Sequence, residues 1–194
     1  LTRISQPSGR RDIQAWAAKL VAQADGWVVL DTETTGTHAS AEVVDVAVIG
    51  PDGATLLESL VRPQGRMNAA ASQVHGIGPA QLRGAPSFDE LYPELARVLD
   101  GKIALAYNVS FDGRILGFCC LQAGLPALAV SWGCVLAAFR AYAPGQRARL
   151  MDACAHFRLT PGTHRARADA LATLHVLRAI AGAPPLPPAR QDQA

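Results

Sequence analysis

Trp27-Val28-Val29-Leu30-Asp31-Thr32-Glu33-Thr34-Thr35-Gly36 is the stretch on which the reading of this chain turns. Its first four residues are an apolar run with polar sequence on either side, the pattern of a buried strand. Side chains alternate between the two faces of a strand, so Asp31 and Glu33 project to the same side. Two carboxylates about 4 Å apart repel by about 1 kcal/mol in water and by about 4 kcal/mol at the effective dielectric of a protein surface. A compensating cation is needed, either a neighbouring arginine or a divalent metal. Gly36, directly after the Thr34-Thr35 pair, lets backbone come close to a ligand at the strand's end. Alone, the acid pair reads equally well as solvated strand-end residues, and the rest of the chain decides.

The 194 residues suffice for one domain with a sizeable core. A hydrophobic share of 49% against 18% charged excludes a disordered chain. No apolar run approaches the ~20 residues of a membrane span. Leu1 to Arg11 lack the apolar core of a signal peptide, so a cytoplasmic protein without a membrane partner is expected. The chain opens on Leu1 rather than Met, as a trimmed chain or a piece of a longer one would. Cys119, Cys120, Cys134 and Cys154 have no C-x-x-C spacing and read as buried reduced thiols. A zinc site using Cys154 and His156 is a sharper reading, but it lacks two further ligands at finger-like spacing. Residues 25–100 hold eleven acids against four arginines, whereas residues 140–178 hold seven arginines against Asp152 and Asp169. That asymmetry suits a metal pocket beside a polyanion track. Two solvated faces would give the same imbalance.

Taken in order, Ile13, Trp16, Ala17, Leu20, Val21 and Ala24 predict a preface helix over 13–24. Strands over 42–49 and 55–61, joined by the Pro51-Asp52-Gly53 turn, form an antiparallel meander with the first strand. An Ala-rich helix from Asn68 leads into Val74-His75-Gly76-Ile77. Ser87 and Glu90 form a capping box before a helix whose buried stripe is Leu91, Leu95, Val98 and Leu99. Pro93 predicts that this helix is kinked or begins nearer the proline. A fourth strand over 103–107 follows a helical crossover and is therefore parallel to its neighbour. A helix over 111–123, a fifth strand over 129–132, and helices over 134–142, 150–157 and 165–181 complete the pattern. The fold class is α/β: a mixed five-stranded sheet, antiparallel in its first three strands and parallel in its last two, with helices on both faces. The organisation expected is a preface over 1–26, a single domain over 27–181, and an extended, mobile proline-rich tail over 182–194.

Two further segments carry chemistry. Asn108-Val109-Ser110-Phe111-Asp112 lies where the fourth strand passes into a helix, and Asn108 and Asp112 share a face if that turn is helical. Both residue types also cap helices well. His164-Arg165-Ala166-Arg167-Ala168-Asp169 puts a histidine in a loop and an acid in the first turn of the last helix. Each segment alone reads first as structural. In this order and at this separation, D-T-E-T-T-G, N-x-x-F-D and H-R-A-x-x-D-A resemble the motifs of the DEDDh exonuclease family. Its best-known members are the proofreading exonuclease subunits of bacterial replicative DNA polymerases. The resemblance runs from about Trp27 to Ile180 and extends to Val74-His75-Gly76-Ile77 and the Leu150–Cys154 segment. It implies the ribonuclease-H-like fold, which is compatible with the strand order above.

The resemblance also implies a site. Asp31, Glu33, Asp112 and Asp169 would hold two divalent cations, Mg²⁺ or Mn²⁺, which prefer oxygen ligands. Asp31 would bridge both, Glu33 and Asp169 would complete one, and Asp112 would anchor the other. Such a pair, roughly 3.5–4 Å apart, clamps the attacking and leaving oxygens of a phosphoryl displacement. His164 would be the general base, since an imidazole titrates near neutral pH; a tyrosine there would mark the sister subgroup. Thr34, Thr35 and Gly36 would give backbone donors and a turn for the terminal sugar. His75 would line the terminal-nucleotide pocket, and Asn108 would also contact substrate. Phe111 would stack on a base, a contact of about 1–3 kcal/mol, or else be a core aromatic. Arg165 would meet phosphate, with Arg167, Arg147 and Arg149 as further candidates from charge. His38, His156 and His175 read as surface or partly buried structural residues.

The activity expected is metal-dependent removal of mononucleotides from 3′ ends, preferring single-stranded DNA, in repair or proofreading. One rival is the same chemistry on RNA, as in ribonuclease T-like members. Another is a module that keeps the fold and binds nucleic acid or a polymerase without catalysis. Tyr107 stands where many members have histidine, and Asp45 where glutamate is commoner. No extended region follows residue 181 to serve as a polymerase-binding segment, so a polymerase partner stays an open alternative.

Overall fold

A computed structural model describes residues 2–186. Six strands form one sheet: β1 (Thr2–Arg3), β2 (Trp27–Thr34), β3 (Val43–Ile49), β4 (Thr55–Leu60), β5 (Ile103–Ala106) and β6 (Ser131–Cys134). Their spatial order is β1-β6-β5-β2-β3-β4. The β2-β3-β4 meander is antiparallel, and β5 and β6 continue it in parallel on the other side of β2. The sheet thus has one strand more than expected. β1 pairs only Thr2 with Ser131 and Arg3 with Trp132, too short a polar edge to leave an alternation in the sequence. The strand expected over 129–132 lies slightly later, over Ser131–Cys134.

The helices are α1 (Arg10–Val21), α2 (Ala69–His75), α3 (Pro79–Leu82), α4 (Phe88–Leu99), α5 (Val109–Gln122), α6 (Val135–Tyr142), α7 (Leu150–Phe157) and α8 (Ala166–Ala181). α4 begins ahead of Pro93, because the Glu90 carboxylate accepts from the Ser87 backbone N–H at 2.7 Å and fixes the start. α3, a single turn opened by Pro79, has no periodic pattern long enough to read from sequence.

Alternation along β2 divides the core in two. Trp27 and Val29 point into a cluster with Ile13, Ala17 and Leu20 of α1 and Leu174, Leu177 and Ile180 of α8. Val28 and Leu30 point the other way, to Leu91, Leu95 and Leu99 of α4 and Ile115 and Leu116 of α5. With both faces covered, every residue of β3 is buried. Cys154 is fully buried in the first cluster, whereas His156 is exposed and packs edge-on against Phe157. They face apart, which removes the zinc reading. The start of the tail makes contacts with the domain: Arg178 donates twice to the Pro184 carbonyl, at 2.9 and 3.1 Å, and Leu186 packs against the first cluster. The remainder of that tail lies outside the described residues. Among the described residues, no helix is long and apolar enough to cross a membrane.

Leu174 is fully buried between α8 and the sheet, and Met151 is 57% exposed. Leu174→Ala should lower unfolding stability by about 2–5 kcal/mol and Met151→Ala by under about 0.5 kcal/mol, read by urea denaturation.

Candidate active site

The alternation that divides the core also sorts the polar end of β2. Asp31 and Glu33 continue the face of Trp27 and Val29, towards α8, and there they meet Asp169. Ligand oxygens of Asp31, Glu33 and Asp169 all lie within 4.8 Å of one another. Thr32 continues the opposite face, towards α5, where its hydroxyl donates to Asp112 Oδ1 at 2.9 Å. The parallel β2–β5 ladder ends at the Val29–Leu105 pair, two residues short of Asp31, and α5 opens shortly after β5. Asp112 reaches Asp31 through this gap. It stands outside the three-acid group, yet its charge is the largest of the neighbouring charges acting on Asp31.

These four acids share an environment hostile to their charge. Burial, then repulsion from Asp112, Asp169 and Glu33, raises Asp31 well above the ordinary carboxylate value. Burial, then the Asp169 and Asp45 charges, pushes Glu33 up to about 8. Burial pushes Asp112 up to about 7 despite the Thr32 hydrogen bond, and burial raises Asp169 as well. Among the described residues none of the four has an arginine or lysine within salt-bridge distance. A donor set made wholly of oxygen, closely spaced and without a protein cation, fits hard divalent ions.

The segment bearing His164 is held by its neighbours. Its backbone N–H donates to Asp169 Oδ1 at 3.2 Å, and a Cβ on Gly162 would overlap that carboxylate. On the other side, Arg165 Nε donates to Asp45 Oδ2 at 2.8 Å, with Asp45 3% exposed. Asp45 sits directly across from Glu33 in the β2–β3 register. Between these two anchors His164 is exposed and takes φ +56°, a left-handed conformation that costs a non-glycine residue about 1–2 kcal/mol.

The remaining expected residues divide. Asn108 opens α5 with an exposed side chain that makes no capping bond, so it stays available at the rim. Phe111 is half-buried against the second cluster, and the Arg114 guanidinium lies 5.4 Å from its ring centre. Thr35 does not offer its backbone donor: its N–H goes to the Glu42 carbonyl, and its hydroxyl accepts from the Glu42 N–H. Thr34 is likewise turned inward, its hydroxyl donating to the Gly36 carbonyl at 2.6 Å. His75 is buried, its Nδ1 accepting from Ile77 N–H and its Nε2 donating to the Thr34 carbonyl. With both nitrogens engaged, it braces the pocket wall instead of offering a donor to the nucleotide. Arg165 gives its Nε–H to Asp45 while its side chain stays 42% exposed, and Arg167 is paired with Thr55 and Glu58. Sequence reasoning missed the roles of Glu42, Asp45, Gly162 and Arg114. The only advance signal was Asp45, an acid in an otherwise apolar strand.

The acids titrate in a way that couples metal to stability. Their folded values are raised, so the folded chain binds more protons than the unfolded chain between about pH 4 and pH 8. Their contribution is complete below the ordinary carboxylate range and is lost as pH rises through about 7 for Asp112 and about 8 for Glu33. Without divalent cation, Tm should therefore fall from pH 6 to pH 8. Added Mg²⁺ or Mn²⁺ should raise Tm more at pH 8 than at pH 6, where protons compete for the same oxygens. Scanning calorimetry checks this; an equal shift at both pH values, or one that survives Asp31→Asn, would refute it.

Comparison with known proteins points the same way. The RNase T family model, described as exonuclease, matches residues 28–177. An uncharacterized exonuclease, CP81, of Escherichia phage 186 is 29% identical over 176 residues, covering 81% of this chain and 89% of that protein. Of seven further curated relatives, RNA exonuclease 4 and DNA polymerase III proteins among them, the chain spans a third or less. Exonuclease X in complex with 5′-overhanging duplex DNA superposes with a TM-score of 0.64 at 24% identity, covering 82% of this chain and 95% of that one. The nuclease domain of 3′hExo, a DEDDh family member bound to rAMP, gives 0.66 at 14% identity, covering 81% and 93%. At these identities the superpositions speak for the fold, which is ribonuclease-H-like as expected. The match over residues 28–177, together with acids and histidine brought to one end of β2, shows that the chain belongs to the RNase T family of exonucleases.

Proposed function

We propose that the chain removes nucleoside monophosphates one at a time from the 3′ ends of single-stranded DNA, in repair or proofreading. The observation that carries this is the meeting of Asp31, Glu33 and Asp169 within 4.8 Å beneath the loop of His164, with Asp112 behind Asp31. Asp31, Glu33 and Asp169 would hold one divalent cation, and Asp31 and Asp112 a second; either Mg²⁺ or Mn²⁺ suits the oxygen donors. When bound, the two ions supply positive charge to the attacking and leaving oxygens of the displacement.

His164 takes the proton from the attacking water as the water oxygen bonds to the terminal phosphorus. The bond from phosphorus to the 3′ oxygen of the preceding nucleotide breaks, and that oxygen leaves as the new 3′ hydroxyl, protonated by solvent. The products are a nucleoside 5′-monophosphate and a strand shorter by one. The tether from His164 N–H to Asp169 keeps the imidazole beside the acids. Asn108 and the exposed edge of Phe111 line the approach, and the Thr34–Gly36 turn shapes it.

Residues 27–181 are read as the catalytic unit, with 1–26 a packed preface and 182–194 a tail. Four unpaired cysteines support a reducing compartment such as the cytoplasm. Kinship with DNA polymerase III proteins supports a replication or repair setting with a polymerase nearby. The RNA exonuclease relatives favour a second reading, the same chemistry on RNA.

Digestion of 5′-labelled DNA and RNA oligonucleotides with Mg²⁺ or Mn²⁺ separates the two. A DNA ladder that shortens faster, and stops with chelator, is expected; faster RNA shortening would reverse the assignment. His164→Ala should lower kcat by about 10²–10⁴ and Asp31→Ala by at least as much, with the fold kept by circular dichroism. Unchanged activity in either variant would mean that the chemistry lies elsewhere.

A further inference from the structure

Three of the seven arginines in the basic last quarter are engaged within the chain. Arg165 is paired with Asp45, Arg167 with Thr55 and Glu58, and Arg178 with the Pro184 carbonyl. A further group of arginines gathers in the acidic half, beside the catalytic end of the sheet. Arg62, Arg66 and Arg83 surround a groove of about 390 Å³ with an apolar floor that includes Met67, Pro79 and Leu82. Arg62 faces Glu90 at 3.8 Å with both side chains half exposed, a contact of little energy. Among the described residues, Arg66 and Arg83 have no carboxylate within salt-bridge distance.

Register puts this groove at the catalytic end of the sheet. Thr34 pairs with Val43 on β3, and Val61, at the exit of β4, donates its N–H to the Val44 carbonyl. At about 4.8 Å between neighbouring strands, β4 ends roughly 10 Å from β2. The loop that follows β4 is tied to the turn after the catalytic strand. Glu42, 7% exposed, accepts from the Gln64 and Gly65 N–H groups, each at 2.7 Å, while its own backbone exchanges hydrogen bonds with Thr35. A Cβ on Gly65 would stand 2.6 Å from the Glu42 carboxylate, so only glycine lets the loop close on it. Asn68 N–H donates to the Thr35 carbonyl at 2.9 Å, and Arg66, two residues earlier, lies within about 8 Å of Asn68 along the chain.

We propose that the groove between Arg62, Arg66 and Arg83 carries the nucleic-acid strand on the 5′ side of the terminal nucleotide, arginines meeting phosphates and the apolar floor meeting bases. Positive charge over an apolar surface is how single strands are held without sequence preference. A strand is favoured over an acidic protein because hydrogen bonds through Glu42 and Thr35 tie the loop that bears the groove to the end of β2 that carries the acids. The inference rests on the nuclease reading above.

The test compares a dinucleotide with a single strand about 16 nucleotides long, in wild type and in Arg66→Glu/Arg83→Glu. In wild type the long strand should have the higher kcat/KM. In the double variant the ratio of long to short should fall at least tenfold. The salt dependence of long-strand binding, log Kd against log salt, should weaken by about 1.4, two phosphates on a single strand. Arg66→Ala/Arg83→Ala should show a smaller fall in the same direction, which guards against misfolding in the reversed pair. Arg11→Glu, an exposed control on α1, should keep the ratio. A ratio undiminished in both groove variants, as a protein-docking groove would leave it, overturns the proposal while the nuclease reading stands. A wild type that cuts neither substrate overturns both.

Discussion

Four carboxylates that repel one another, and that burial penalises further, are the constraint around which this molecule is arranged. Two other acids are buried at the same end of the sheet, and each is satisfied within the chain: Asp45 by Arg165, Glu42 by the Gln64 and Gly65 N–H groups. Asp31, Glu33, Asp112 and Asp169 have no such cation among the described residues. Asp112 is as buried as Glu42 and Asp45, whereas Asp31, Glu33 and Asp169 are partly exposed, so the contrast lies in the partners rather than in burial. The chain supplies a cation to Asp45 and none to these four, which suits a charge brought from outside. Burial alone would have marked the wrong subset.

The geometry follows from one property of β2. A period of two sends Asp31 and Glu33 to the face covered by α8 and Thr32 to the face covered by α5, so the strand recruits an acid from each helix. The early end of the β5 ladder lets the two faces communicate. Were β5 to continue alongside Asp31, Asp112 would be walled off behind Thr32. The short parallel strand and the helix that begins directly after it therefore act together to bring Asp112 to the site.

That much was legible in the sequence, because strand parity, helix position and residue type are local properties. The strand order and the convergence of the acids could be read with the help of the motifs. What escaped was of another kind. Arg165 and Asp45 are 120 residues apart, and nothing local distinguishes an arginine that will pair inward from one that will face solvent. A sum over charges therefore pointed to the basic last quarter as a polyanion track, whereas Arg165 and Arg167 within it each turn part of their guanidinium to an acid of the chain. The hydrogen-bond partners of His75 and Thr35 escaped for a related reason. Polar groups beside a pocket can face into it or bond backward, and the choice depends on partners such as Glu42 and Ile77, which only the folded chain identifies. β1 was invisible because two polar residues carry no period.

The acids and the base are held by unlike means, and the difference suits the chemistry. Asp31 and Glu33 are fixed by a strand paired with β3 along their length, and Asp112 and Asp169 by the opening turns of α5 and α8. Groups that repel need this rigidity, since any looseness would be spent moving apart. His164 sits instead on an exposed loop in a strained backbone state, tied at Asp169 and through its neighbour to Asp45. Because one of those ties ends on an acid of the site, a change in the charge state of Asp169 is felt directly at the histidine backbone. Whatever neutralises the acids thus also bears on the position of the base, so the two halves of the site are assembled as one.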